Sequence, residues 1–130
     1  MTLDELNREL KEQGKAAGIE VETYQSNHEG DLIDQIHASR GRFDVLIINP
    51  GALTHYSFAL CDAIRAVRLP VVEVHLSNIY SREPWRRRSV VAPAAWGQVC
   101  GFGHLSYKLA LSAASNLINR KAESNDRYLP

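Results

Sequence analysis

Val71-Val72-Glu73-Val74-His75-Leu76-Ser77-Asn78 is the stretch on which the reading of this chain turns. An apolar, β-branched run stops abruptly on a histidine and gives way to small polar residues. Such a run predicts a buried parallel strand over 71–75, and in open α/β sheets ligands bind outside the carboxyl ends of the strands. His75 stands at that end. Upstream, Val45-Leu46-Ile47-Ile48-Asn49 repeats the design, an apolar strand ending on a hydrogen-bonding side chain before the Pro50-Gly51 turn. Two strand ends are therefore expected to aim polar groups at one rim.

On the N-terminal side, Thr2-Leu3-Asp4-Glu5 has capping-box spacing, and Leu3, Leu6 and Leu10 recur on one helical face. This predicts a helix from residue 2 to the region bracketed by Gly14 and Gly18. Ile19-Glu20-Val21-Glu22-Thr23-Tyr24 alternates apolar with polar, as an edge strand with one wet face would. Leu32, Ile33 and Ile36 mark a second helix ending near Arg40-Gly41, Ser57 caps a third that runs to about Val67, and Pro70 opens the strand at 71–75. Beyond a charged segment from Ile79 to Ser89, residues 97–102 form a short candidate strand. Leu105, Leu109, Ser112, Ala113 and Leu117 mark a last helix to about Asn119, and the polar stretch from Arg120 to Pro130 is expected to fray as a flexible tail. Strands alternating with helices imply right-handed crossovers and a parallel sheet covered on both faces. The expectation is an α/β fold in a single domain spanning residues 1–130.

Fifteen basic and fifteen acidic side chains cancel, so no global field argues for nucleic acid or a membrane surface. No apolar run approaches membrane-spanning length. Cys61 and Cys100 are isolated within apolar segments, which points to reduced core cysteines and a cytoplasmic protein. The five histidines show no metal-ligand spacing, so no metal is expected.

Several side chains carry two readings. His75 is either a general acid, since imidazole titrates near neutrality, or a hydrogen-bonded core histidine. Asn49 either orients a substrate or water, or caps the turn at Pro50. His55, in the following loop, either meets a hydroxyl or carboxylate or is merely solvated, and Asp62 either pairs with Arg65 or reaches a neighbouring subunit. Arg82 and Arg86, four apart, clamp an anion if they share a helical face; otherwise they belong to a solvated basic surface. Gly101-Phe102-Gly103 imitates the start of a dinucleotide fingerprint but lacks the downstream strand and its ribose-binding acid.

Taken together, QSNHEGDLIDQIH (25–37), IINPGALTHYSFALCDA (47–63), PVVEVHLSNIYSREPWRRRS (70–89) and GQVCGFGHLSY (97–107) resemble one family, the type II 3-dehydroquinate dehydratases. The resemblance runs over nearly the whole chain. It implies a flavodoxin-like, three-layer α/β/α fold, a trimer-based homododecamer, no cofactor, and elimination of water from 3-dehydroquinate through an enolate. By the same resemblance, His75 is the proton donor to the departing hydroxyl, supported by Glu73. Asn49 holds substrate and a water at the developing enolate oxygen, and His55 and Arg86 meet substrate hydroxyls. Leu76 and Ser77 receive the substrate carboxylate on their backbone, and Asp62 reaches across the trimer interface.

Three departures from the family pattern accompany these matches. Tyr80 stands where the family has histidine, and Arg87-Arg88 replace a more histidine-rich run. Family members also begin earlier, with a strand reading like I-L-V-I-N-G-P-N-L-N and a mobile lid bearing an arginine and the tyrosine base. The expectation is therefore a chain truncated at its N-terminus relative to the family, with the central first strand absent and the segment 19–24 deprived of its neighbour. Two rivals follow from it: an impaired subunit that binds carboxylates and oligomerises without turnover, and an anion- or nucleotide-binding module of flavodoxin-like fold.

Overall fold

The computed structural model describes residues 1–124, with side chains to Arg120. In chain order the regular elements are α1 (Leu3–Ala16), α2 (Glu29–Ala38), β1 (Leu46–Ile48), α3 (Phe58–Val67), β2 (Val71–His75), β3 (Gly97–Cys100) and α4 (Leu105–Ser124). Short 3-10 turns occupy Gly51–His55, Ile79–Ser81, Pro84–Arg87 and Ala92–Ala94. The helix starts are built by capping. The Thr2 hydroxyl accepts from Glu5 N–H at 3.1 Å, and the Glu5 carboxylate accepts from Thr2 N–H at 2.9 Å, closing the reciprocal box. Ser57 accepts from Leu60 N–H at 3.0 Å and donates to Glu29 at the start of α2, so one hydroxyl caps α3 and ties it to α2.

β2 lies between β1 and β3 in a parallel sheet, with Ile48 opposite Glu73, Glu73 opposite Gln98, and His75 opposite Cys100. All of β2 is buried, which explains its nearly continuous apolar reading. One face packs Leu46, Ile48 and Val71 against Ile36 of α2 and Leu60, Ile64 and Val67 of α3. The other turns Val72, Val74 and Val99 toward Ala110 and Tyr107 of α4, while Leu6 and Leu10 of α1 close over Leu111. Each buried Leu, Ile or Val side chain contributes about 1.5–3 kcal/mol. The result is the expected three layers, with the carboxyl ends of β1 and β2 opening on the same side.

Four expectations need correction. Residues 19–24 take no regular secondary structure and form no strand, because among the described residues no neighbouring strand takes up their backbone groups; β1 pairs only with β2. Their alternation still shows in burial, since Ile19 and Val21 pack on α1 and α4. Leu3 is exposed, because the helix begins there and only Leu6 and Leu10 reach the core. β3 ends at Cys100, where Gly101 takes a positive φ of 94° that ends the extended run. α4 runs through Ser124, past the expected end at Asn119; the rest of the expected tail, 125–130, lies outside the described residues.

Candidate active site

Glu73 is the one charged residue inside β2, and its side chain is fully buried. A buried carboxylate must be hydrogen-bonded or neutralised. Here the Thr54 hydroxyl donates to it at 2.5 Å, Ser89 Oγ lies 3.0 Å from both of its oxygens, and His75 Nε2 lies 2.5 Å from Oε2. Burial alone pushes this carboxyl up, but the hydrogen bonds from His75, Thr54 and Ser89 and the attraction of His75 outweigh it and hold its pKa below the ordinary carboxylate value. Glu73 is therefore ionised near neutrality. Ser89 is itself oriented by the N–H groups of Val91 and Ala92, which donate to its oxygen at 3.2 and 2.8 Å, leaving its hydrogen for Glu73. Val90 N–H donates to Thr54 O at 2.7 Å and stitches the two donor loops together.

This arrangement fixes what His75 can do. Since ionised Glu73 only accepts, Nε2 carries a hydrogen toward it, and Nδ1 is the nitrogen left for a ligand. An imidazolium there would present a proton on Nδ1 to a leaving oxygen. The strand register places Cys100 beside His75. Burial, then the Glu73 charge, pushes the Cys100 thiol up, so it is no thiolate nucleophile. Cys100 is half-buried, unlike the buried Cys61, and both are free thiols.

At the end of β1, Asn49 Oδ1 accepts from Gly51 N–H at 3.0 Å and Nδ2 donates to the Tyr107 hydroxyl at 2.9 Å. The turn-capping reading of Asn49 is thus correct, and its amide is held at both ends. His55 is half-buried, with Nδ1 2.7 Å from Arg88 O and its ring edge-on to Trp85 at 5.2 Å. It is anchored rather than merely solvated. Leu76 and Ser77 follow His75 directly, and Gly101 and Gly103 N–H groups donate to the carbonyls of His75 and Leu76 at 3.2 and 2.9 Å. Gly101 also lies against Asn78, where an added Cβ would sit 3.2 Å from Asn78 Cβ.

The arginines do not form the shared clamp. Residues 79–87 make two short 3-10 turns separated at Arg82, whose backbone is extended, so Arg82 and Arg86 share no α-helical face. Arg82 instead donates to Ser77 Oγ at 3.3 Å, while Arg86 pairs with Glu83 and lies 4.1 Å over the Trp85 ring. Asp62 is exposed on α3 and forms no ion pair among the described residues, so the Arg65 pairing is not made. Among those residues no group of three or more His, Cys, Asp or Glu could hold a metal, and no helix is long and apolar enough to cross a membrane. Clefts of about 430 and 400 Å³ flank α1, one toward Thr23 and one toward α4; neither touches the His75 rim.

Thr54, Ser89 and Tyr107 were not singled out from sequence. The first two had a signal: a lone glutamate inside an apolar strand demands buried donors. Nothing in the spacing pointed to Tyr107, because its partner stands 58 residues away.

The family profile described as dehydroquinase class II matches residues 1–115. The curated 3-dehydroquinate dehydratase of Clostridium acetobutylicum is 47% identical over 119 residues, which cover 92% of this chain and 83% of that one. Its counterpart in Pelotomaculum thermopropionicum is 50% identical over 117 residues, covering 90% and 81%. The solved type II dehydroquinase of Butyrivibrio crossotus superposes with a TM-score of 0.85 at 42% identity, over 89% of this chain and 81% of that one. The parallel sheet with helices on both faces is accordingly the flavodoxin-like α/β fold of those enzymes. This chain belongs to the class II dehydroquinase family.

Proposed function

We propose that the chain is a type II 3-dehydroquinate dehydratase, a hydro-lyase of the shikimate pathway to aromatic amino acids that converts 3-dehydroquinate to 3-dehydroshikimate through an enolate. The observation that carries this reading is the buried Glu73–His75 pair at the open end of β2 in a chain of this family. In the reaction, a base removes the proton next to the ketone and the electron pair becomes the enolate. The enolate then re-forms the ketone, a carbon–carbon double bond forms, and the carbon–oxygen bond to the leaving hydroxyl breaks. Hydroxide is a poor leaving group, so His75 donates its proton to that oxygen and water departs. Glu73 keeps the imidazole oriented through its hydrogen bond to Nε2.

The remaining assignments rest on the motif matches. Asn49 takes the enolate oxygen and a water, His55 and Arg86 take substrate hydroxyls, and the backbone of Leu76 and Ser77 takes the carboxylate. Asp62, exposed and without an ion-pair partner among the described residues, suits a role across a subunit boundary in a trimer-based dodecamer. No cofactor is needed for this elimination, and the compartment proposed is the cytoplasm. The test is growth of the conjugated enone's ultraviolet absorbance with purified 130-residue protein. His75→Ala is expected to lower kcat by about 10²–10⁴-fold with KM far less affected, as for a group acting as the bond breaks. Normal kcat with a raised KM would make His75 a binding residue only, and substrate binding without turnover by the unaltered chain would favour the impaired, carboxylate-binding subunit.

A further inference from the structure

Arg88, Ser89 and Val90 follow one another in the chain, and each makes a bond into the loops and strand end around His75. The Arg88 carbonyl lies 2.7 Å from His55 Nδ1, and since a carbonyl only accepts, that nitrogen carries the hydrogen. Ser89 Oγ lies 3.0 Å from each oxygen of Glu73, and Val90 N–H donates to Thr54 O at 2.7 Å. One short segment therefore holds both histidines of the proposed site, His55 directly and His75 by way of Glu73.

The Ser89 hydroxyl is itself fixed. Its oxygen accepts from Val91 N–H at 3.2 Å and Ala92 N–H at 2.8 Å, which occupies both lone pairs. Its hydrogen has two acceptors in reach, Thr54 Oγ1 at 3.1 Å and the Glu73 carboxylate, and the charged one is the stronger. The last torsion of a glutamate is soft, so a carboxylate gripped at one oxygen alone is free to turn. Thr54 and His75 both bond to Oε2, whereas Ser89 also reaches Oε1. Ser89 therefore sets the turn of the carboxylate, and with it the placing of Oε2 against His75 Nε2.

We propose that Ser89 is a positioning residue for the dehydration, acting through Glu73 so that Nε2 of His75 retains its hydrogen and Nδ1 is the nitrogen that gives its proton away. This rests on the dehydratase reading above. As Nδ1 protonates the leaving hydroxyl, an N–H bond breaks, an O–H bond forms and water departs; the neutral ring keeps its one hydrogen on Nε2, where the carboxylate receives it. The bond is made good as the carbon–oxygen bond breaks, so the effect belongs in kcat more than in KM. Ser89→Ala removes one oxygen from a half-buried side chain and adds nothing, so the fold is retained.

The experiment measures kcat and KM for the unaltered chain, Ser89→Ala, His75→Ala and the double variant. Ser89→Ala is expected to lower kcat about tenfold, as for loss of one hydrogen bond to a charged group, with KM within about twofold. In the His75→Ala background the same change is expected to cost nothing further, since Ser89 acts through His75. Unchanged kcat in Ser89→Ala, or an equal loss in both backgrounds, overturns the proposal. Nitrogen-15 resonances of the histidine rings, recorded at a pH where the rings are neutral, give a second reading that needs no turnover. His75 is expected to carry its hydrogen on Nε2 in the unaltered chain and to become a mixture of both tautomers in Ser89→Ala, while His55 keeps its hydrogen on Nδ1 in both. An unchanged His75 tautomer overturns the proposal, and so does an equal change at His55, which marks a loosened loop rather than a turned carboxylate. Should the unaltered chain show no turnover, the dehydratase reading fails by itself, and the ring resonances decide whether Ser89 positions His75.

Discussion

Glu73 keeps a charge inside the sheet because Thr54, Ser89 and His75 all point hydrogens at it. Since its folded pKa lies below the ordinary value, its ionisation adds stability that is fully present above the unfolded pKa and is lost as pH falls through the folded one. Glu73→Gln removes the charge but keeps the shape. At neutral pH it is expected to destabilise the chain by about 1–3 kcal/mol, the cost of leaving buried donors poorly matched. That gap should narrow on acidification below the ordinary carboxylate range, read by denaturant unfolding at a series of pH values. A gap that stayed constant with pH would mean that Glu73 is not the titrating group. Position alone identified the rim in this chain, because strand ends on Asn49 and His75 are visible as apolar runs that stop on polar residues. The donors to Glu73 come from Thr54 and Ser89, on two separate loops, and a pattern that reads only neighbours in sequence does not bring such loops together.

α1 meets the segment 19–24 at Gly14, and the contact is closer than any side chain allows. A Cβ there would stand 2.5 Å from Val21 Cγ2 and 3.1 Å from Ile19 O, while Ile19 N–H donates to Gly14 O at 2.9 Å. Helix propensity favours alanine over glycine by about 1 kcal/mol, yet overpacking of this kind costs about 1–3 kcal/mol. Gly14→Ala is therefore expected to lower the thermal midpoint, and Val21→Ala in the same background to recover part of the loss. A higher midpoint for Gly14→Ala alone would show that the segment gives way freely. Capping and periodicity made the helices legible, with Thr2 and Ser57 standing where α1 and α3 begin. The alternation at 19–24 correctly gave which side chains face inward but not a strand, because a strand also needs a hydrogen-bonding neighbour, which alternation does not supply. Arginine spacing misled for a related reason: four residues apart means one face only on an α-helix, and Pro84 opens a 3-10 turn instead.

On the scale of the whole molecule, the proposed site lies at the carboxyl ends of β1 and β2, and two of its proposed members make no hydrogen bond to the Glu73–His75 pair. Arg86 lies over Trp85 beside Glu83, whose carboxyl its hydrogen bond holds below the ordinary value, and Asp62 is exposed on α3. An exposed carboxylate without an ion-pair partner among the described residues is accounted for if a neighbouring copy brings its partner, and closed symmetric assemblies supply such neighbours repeatedly. If each site draws Arg86 from one chain and Asp62 from the next, Arg86→Ala and Asp62→Ala chains are each expected to be impaired. Co-refolding the two then regenerates some sites with both groups intact, and activity should rise above either parent. Mass measurement of the mixture establishes whether mixed assemblies have formed. Mixed assemblies with no recovered activity would reject the shared site and leave Asp62 as an ordinary surface carboxylate, whereas recovery would establish oligomerisation and composite chemistry in a single experiment.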